Sequence, residues 1–263
     1  MSQVTPIRLM LLAVSATVLL AACGGDGEDA STPEPTTVTA GEPTSTAPAE
    51  STMTTGETPE TTLPPQPPSD YAGFVTQTTA CEAPAPPQIA PMVFDAPEDQ
   101  GLDSATKVDA VMTTSCGDIS IELDPAIAPE TVNSFVFLAR SGYFDGTVSH
   151  RILPGFVIQA GDPTGTGREG PGYTIPDELP DPGFVYEEGV LAMANSGPNT
   201  TGSQFFIMLG DAPLPPNYSV FGKVTDGFET LTSVAAIPLG PNAFGEVSVP
   251  LETLYIESIT INE

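Results

Sequence analysis

From Val108 onward, apolar and polar residues alternate with a period of two along several short stretches. Val108 to Thr114 and Asp118 to Leu123 alternate on either side of Cys116-Gly117, which predicts a hairpin. Phe156 to Ala160, Val190 to Ala194, Gln204 to Leu209, Tyr218 to Val224 and Leu254 to Ile261 are further strand candidates. In the last of these Leu254, Ile256, Ile259 and Ile261 skip one beat, as a β-bulge would require. Two segments have a helical period instead. Pro129 to Ser141 puts Val132, Phe135, Val136 and Ala139 on one face, with Pro129 at its start and Gly142 past its end. Asp226 to Ile237 carries Phe228, Leu231, Val234 and Ala235, a capping-box pairing of Asp226 with Glu229, and Pro238 as a stop. The pattern predicts a mainly β fold. A closed antiparallel barrel capped by two helices suits it, because closure removes sheet edges.

Upstream of Val108 the pattern breaks down in stages. Leu9 to Ala22 is an apolar run of about 14 residues behind Arg8. A membrane-spanning helix needs roughly 20, so residues 1–22 read as an export signal. The run ends in Leu20-Ala21-Ala22-Cys23, which resembles a bacterial lipobox with Cys23 as the lipidated residue. Residues 23–70 are built mostly from Thr, Pro, Glu, Ser, Gly and Ala, with no Lys, Arg or large aromatic up to Asp70. They cannot bury enough apolar area to offset chain entropy and are expected to be a disordered tether, with a mean reach of roughly 40 Å. Residues 71–106 form a Pro-rich extension, and residues 107–263 the folded domain. The expected location is extracytoplasmic, on the outer face of the cell membrane. In such a setting Cys81 and Cys116 are expected to form a disulfide closing a loop worth roughly 4 kcal/mol; two buried free thiols are the alternative.

Charge narrows the possible partners. The chain has 34 Asp+Glu against 6 Lys+Arg, a formal net charge of −28. Phosphate backbones need clustered cations, so no nucleic-acid partner is expected. Three Cys and one His show none of the paired spacings of a zinc site, and no metal is expected. Gly165-Thr166-Gly167-Arg168-Glu169-Gly170 matches the spacing of a dinucleotide-binding turn. Pro163 and Pro171 bracket it and no helical pattern follows, so it reads as a flexible loop beside the site.

Three stretches go beyond pattern. They are His150 to Asp162 (HRILPGFVIQAGD), Gly189 to Ile207 (GVLAMANSGPNTTGSQFFI) and Val220 to Val224 (VFGKV). Together they strongly resemble the cyclophilin family of peptidyl-prolyl cis-trans isomerases. The resemblance implies an eight-stranded antiparallel barrel with two capping helices, acting without a cofactor on Xaa-Pro segments of polypeptides. It implies Arg151 as the catalytic donor, and Phe156, Val157, Phe206 and Leu214 as the pocket for the proline ring. Gln159 would orient the arginine and the substrate carbonyl. Ala194 and Asn195 would pair with the extended substrate, Gln204 would form a polar wall, and Tyr218 would line the rim. Phe205, one residue from Phe206, would face the core, and His150 would be structural.

There are departures from the family pattern. Val157 stands where the family often has Met. The chain has no Trp, and Pro213 stands where some members carry the Trp that contributes to cyclosporin binding. Two functions therefore compete: a lipid-anchored, monomeric isomerase assisting the folding of exported proteins, and a non-catalytic proline-peptide-binding module or holdase at the cell envelope.

Overall fold

The computed structural model describes residues 66–262. The export signal, Cys23 and the tether up to residue 65 lie outside the described residues. A short helix α1 (Tyr71–Phe74) starts at Asp70, whose carboxylate accepts from Gly73 N at 2.9 Å. There follow β1 (Val108–Thr114), β2 (Gly117–Leu123), α2 (Pro129–Arg140), β3 (Arg151–Leu153), β4 (Val157–Ala160) and β5 (Val190–Met193). The chain continues through β6 (Phe205–Met208), β7 (Val220–Asp226), α3 (Phe228–Ala235), β8 (Leu239–Pro241), β9 (Val247–Pro250) and β10 (Ile256–Asn262).

Eight strands make one antiparallel sheet in the order β10-β1-β2-β7-β5-β6-β4-β3, and β8 pairs with β9 as a separate hairpin. The sheet is an open half-barrel, which corrects the expected closed barrel. Closure would require β3 and β10 to share a ladder. They meet instead through one isolated bridge, Val148 to Tyr255, just before each strand. Ser149 N donates to Leu254 O and Ile256 N to Thr147 O, both at 2.9 Å. β3 has only three residues, and β9 packs against it instead.

The expected bulge is present. Thr113 pairs with Ser258 and Thr114 with Ile256, so Glu257 is the extra residue in β10. The expected cap of α3 is not: its N-cap is Gly227 in the left-handed region (φ 93°), with no side-chain hydrogen bond. A Cβ at Gly227 would come within 2.4 Å of Asp118 O, so β7 approaches β2 too closely there for another residue.

Alternation sends every second residue to each face of the sheet. The inner face, with α2 and α3 upon it, forms the large core. Ile121, Ile152, Ile158, Leu191, Phe205, Ile207 and Phe221 are buried there beside Phe135 and Leu231. Phe135 meets the rings of Phe144, Phe205 and Phe221 at 5.1–5.5 Å. Of the predicted helix faces, Val132, Phe135, Val136, Ala139, Leu231 and Val234 are buried, while Phe228 is exposed.

The Pro-rich extension is tied to this body at several points. Cys81 and Cys116 are joined by a disulfide with their Cα atoms 5.1 Å apart. It links a 3-10 turn (Ala80–Glu82) to the β1–β2 turn. Beyond it Phe94 N donates to Pro171 O at 2.7 Å, and the Phe94 ring packs edge-on against Phe137 at 4.9 Å.

Candidate active site

The site lies on the outer face of β3, β4, β6 and β5. In the register of these strands Arg151 is opposite Gln159, Gln159 is opposite Phe206, and Phe206 is opposite Ala192. The four residues therefore form one row across four strands. The period of two that buries Ile152, Ile158, Phe205 and Leu191 turns this row outward.

The apolar half of the site is a second cluster separate from the core. Val157, Tyr186, Ala192, Phe206, Met208 and Val220 are buried in it. Phe156, Ala194, Leu214 and Tyr218 are partly buried against it. Phe206 and Tyr218 meet edge to face at 5.5 Å. Tyr186 was not foreseen. Its hydroxyl donates to Tyr218 O at 2.9 Å and accepts from Tyr218 N at 3.3 Å, fixing the backbone at the rim. Its ring lies 6.5 Å from that of Phe206. The segment that supplies it, Asp181 to Glu188, has no periodic pattern that would single out a buried aromatic.

The polar half is a directed chain of hydrogen bonds. Arg151 Nη1 faces Gln159 Oε1 at 3.5 Å. Gln159 Nε2 donates to Gln204 Oε1 at 3.0 Å, and Gln204 Nε2 donates to Glu169 O at 3.0 Å. Gln159, Gln204, Ala194 and Asn195 line a cavity of about 530 Å³ together with Glu169 and Val93. Asn195 Nδ2 is committed to Asn217 O at 2.8 Å, so its side chain braces the rim.

On its other edge Arg151 forms a bidentate pair with Glu246, from the β8–β9 turn. Nε lies 2.8 Å from Oε2 and Nη2 lies 2.9 Å from Oε1. The Arg151 guanidinium holds the Glu246 carboxyl down at about 2, against a smaller opposing effect of burial. Glu246 was also not foreseen: one acid among 34 carries no spacing signal.

The glycine-rich segment after β4 lines this cavity as expected, but it is not loose. The Asp162 side chain, fully buried, accepts from Thr164 N and Thr164 Oγ1 at 2.8 and 2.7 Å and from Arg168 N at 3.0 Å. Burial alone would raise the Asp162 carboxyl; these donors outweigh it and hold it below its ordinary value. His150 packs behind the same loop, with Gly167 against its ring. Its Nδ1 is buried without a partner. Burial lowers the imidazole to about 4, opposed by Asp162 and aided by Arg151. A histidine that stays neutral and faces away from the row is a packing residue.

A water-poor aromatic pocket beside a fixed guanidinium is what catalysis of amide rotation at proline requires. Residues 110–261 match the family model described as cyclophilin type peptidyl-prolyl cis-trans isomerase/CLD. The chain belongs to that family. It is 44% identical over 153 residues to peptidyl-prolyl cis-trans isomerase-like 3 of Rattus norvegicus, covering 57% of this chain and 92% of that one. It is 37% identical over 217 residues to probable peptidyl-prolyl cis-trans isomerase B of Mycobacterium tuberculosis, covering 76% of this chain and 69% of that one. A crystal structure of a Cryptosporidium parvum cyclophilin type isomerase aligns with a TM-score of 0.55 at 37% identity, covering 60% of this chain and 99% of that one. The structure of that isomerase in the presence of the dipeptide Ala-Pro aligns with a TM-score of 0.54.

Proposed function

We propose that this isomerase is exported, lipidated at Cys23, and acts as a monomer on Xaa-Pro bonds of extracytoplasmic polypeptides at the outer face of the cell membrane. Arg151 is its catalytic residue. The observation that carries the role of Arg151 is the outward row of Arg151, Gln159 and Phe206, set against the aromatic cluster; export and lipidation rest on the sequence around Cys23.

The chemistry asks little of the protein. Resonance gives the peptide C–N bond partial double-bond character and a rotation barrier of about 20 kcal/mol. Both isomers of an Xaa-Pro bond are populated, yet they exchange over tens of seconds or more. No covalent bond breaks and no proton needs to leave. In the twisted amide the proline nitrogen recovers its lone pair, and a donor aimed there favours that state over either planar one. Phe156, Val157, Phe206, Leu214 and Tyr218 hold the ring in apolar surroundings. Arg151 presents an N–H that is always charged. Gln159 and Gln204 keep the polar wall in line, while the backbone of Ala194 and Asn195 offers an edge to an extended peptide.

The test is exchange of an Ala-Pro peptide followed by line-shape NMR, with Arg151→Ala beside the parent. The parent accelerates exchange; Arg151→Ala loses on the order of 100-fold or more in kcat/KM and melts at the parent temperature. Binding without faster exchange in the parent would make the protein a proline-peptide-binding module. Metabolic labelling with palmitate tests the anchor: Cys23→Ser loses both the label and the membrane fraction. A labelled Cys23→Ser protein would overturn lipidation there.

A further inference from the structure

Glu246 lies outside the three sequence stretches that carry the family resemblance. Its contact with Arg151 is two-pointed and side-on. That contact occupies Nε and one proton of Nη2, and leaves the Nη1 end of the fork toward Gln159 and the pocket. Resting on the reading of Arg151 given above, we infer that Glu246 is a positioning residue: it holds the guanidinium so that Nη1 points along the row toward bound proline.

The carboxylate is itself held for this purpose. Glu246 N donates to Asn242 Oδ1 at 3.0 Å, and Asn242 N donates back to Glu246 O at 2.8 Å, which closes the β8–β9 turn. Ser248, buried at the base of β9, adds a hydrogen bond to the carboxylate. The β8–β9 hairpin packs along β3 through β9, so the turn delivers the carboxylate to the start of β3.

The pair itself is half-exposed, with side-chain exposures of 29% for Arg151 and 38% for Glu246. Ion pairs in that setting contribute little to stability. The effect of this one falls on orientation. Without Glu246, among the described residues, the arginine side chain keeps only the 3.5 Å approach to Gln159, a weak contact on a side chain with several free torsions. Misplacement of a donor by about an ångström is enough to cost up to 100-fold in rate.

The experiment compares the full chain with Glu246→Gln, Glu246→Asp, Arg151→Lys and the Glu246→Gln/Arg151→Lys double variant on the Ala-Pro peptide. Glu246→Gln is expected to lower kcat about tenfold or more while KM stays within about twofold, because the interaction matters in the transition state. Glu246→Asp, which keeps the charge, recovers part of the loss. In the Arg151→Lys background Glu246→Gln costs almost nothing, because an ammonium cannot take the two-point grip. Unchanged or increased kcat in Glu246→Gln, or an equal loss in both backgrounds, overturns the inference. An Arg151→Ala enzyme of full activity would instead overturn the role of Arg151. Should Glu246→Gln fail to fold, the Nε proton of Arg151 in the parent decides: slow exchange with water supports the grip, and solvent-like exchange overturns it.

Discussion

Phe205 and Phe206 are neighbours in β6, yet they belong to different parts of the molecule. Phe205 is packed edge-on against Phe135 and Phe144 in the core under the helices. Phe206 faces Tyr218 and Tyr186 on the opposite side, in a cluster whose borders are half-open. The inner face is covered by α2 and α3. Among the described residues, the segments carrying Tyr186 and Leu214 cover the outer face over β4, β5 and β6. Toward β2 and β7 the same face carries the exposed Glu122–Lys223 pair. One sheet thus supplies stability from one set of alternate residues and chemistry from the other.

The sharpest way to break this comparison is at β6. Phe205→Ala empties a fully packed inner site and is expected to cost about 3–5 kcal/mol of stability, read as the shift in a urea midpoint. Phe206→Ala should cost less in folding, because its cluster can relax toward solvent. It is expected to lower kcat/KM on the order of 10-fold to 100-fold through the lost proline pocket. Equal stability losses at the two positions, with activity intact in Phe206→Ala, would erase the distinction between the faces.

His150 sharpens the boundary between the faces, since Arg151 beside it points outward. Its folded value of about 4 lies below the ordinary 6.5. Between those values the unfolded chain binds the proton and the folded chain does not, so stability falls as pH drops from about 6.5 to about 4 and levels off below. The loss is on the order of 3 kcal/mol. It is read as the difference in melting temperature between the parent and His150→Gln across that range, so that the many carboxylates cancel. A pH-independent difference would show that His150 is not held neutral. The smallest effect belongs to the bare end of the outer face. Glu122→Gln removes an exposed pair at 3.5 Å and should change stability by less than about 0.5 kcal/mol, with activity unaltered.

The difference between the faces also explains what the sequence made legible. Period two in β1, β2 and β10 and the 3.6 period in α2 are local signals, and they locate the core. The motif around Arg151 and Phe206 points to a row that the register then assembles. What escaped is non-local. Whether β3 reaches β10 depends on hydrogen bonds between residues about a hundred positions apart, and alternation is the same for an open sheet and a closed one. The β8–β9 hairpin contains Pro241 and Pro250 in three- and four-residue strands, too short and too proline-rich to show a period. Tyr186 and Glu246 sit in such irregular segments, so their roles emerge only when the fold sets them against Tyr218 and Arg151.

The disulfide has a mechanical consequence. A pull applied at Asp70 first loads Tyr71 N to Thr164 O and then the Thr79–Thr253 bridge. Once those give way, the chain can unravel only as far as Cys81, because the covalent link to Cys116 passes the load directly to the β1–β2 turn. The slack released is at most roughly 40 Å. Beyond that length the tension bypasses the Pro-rich arm, and with it the wall that Val93 gives to the cavity.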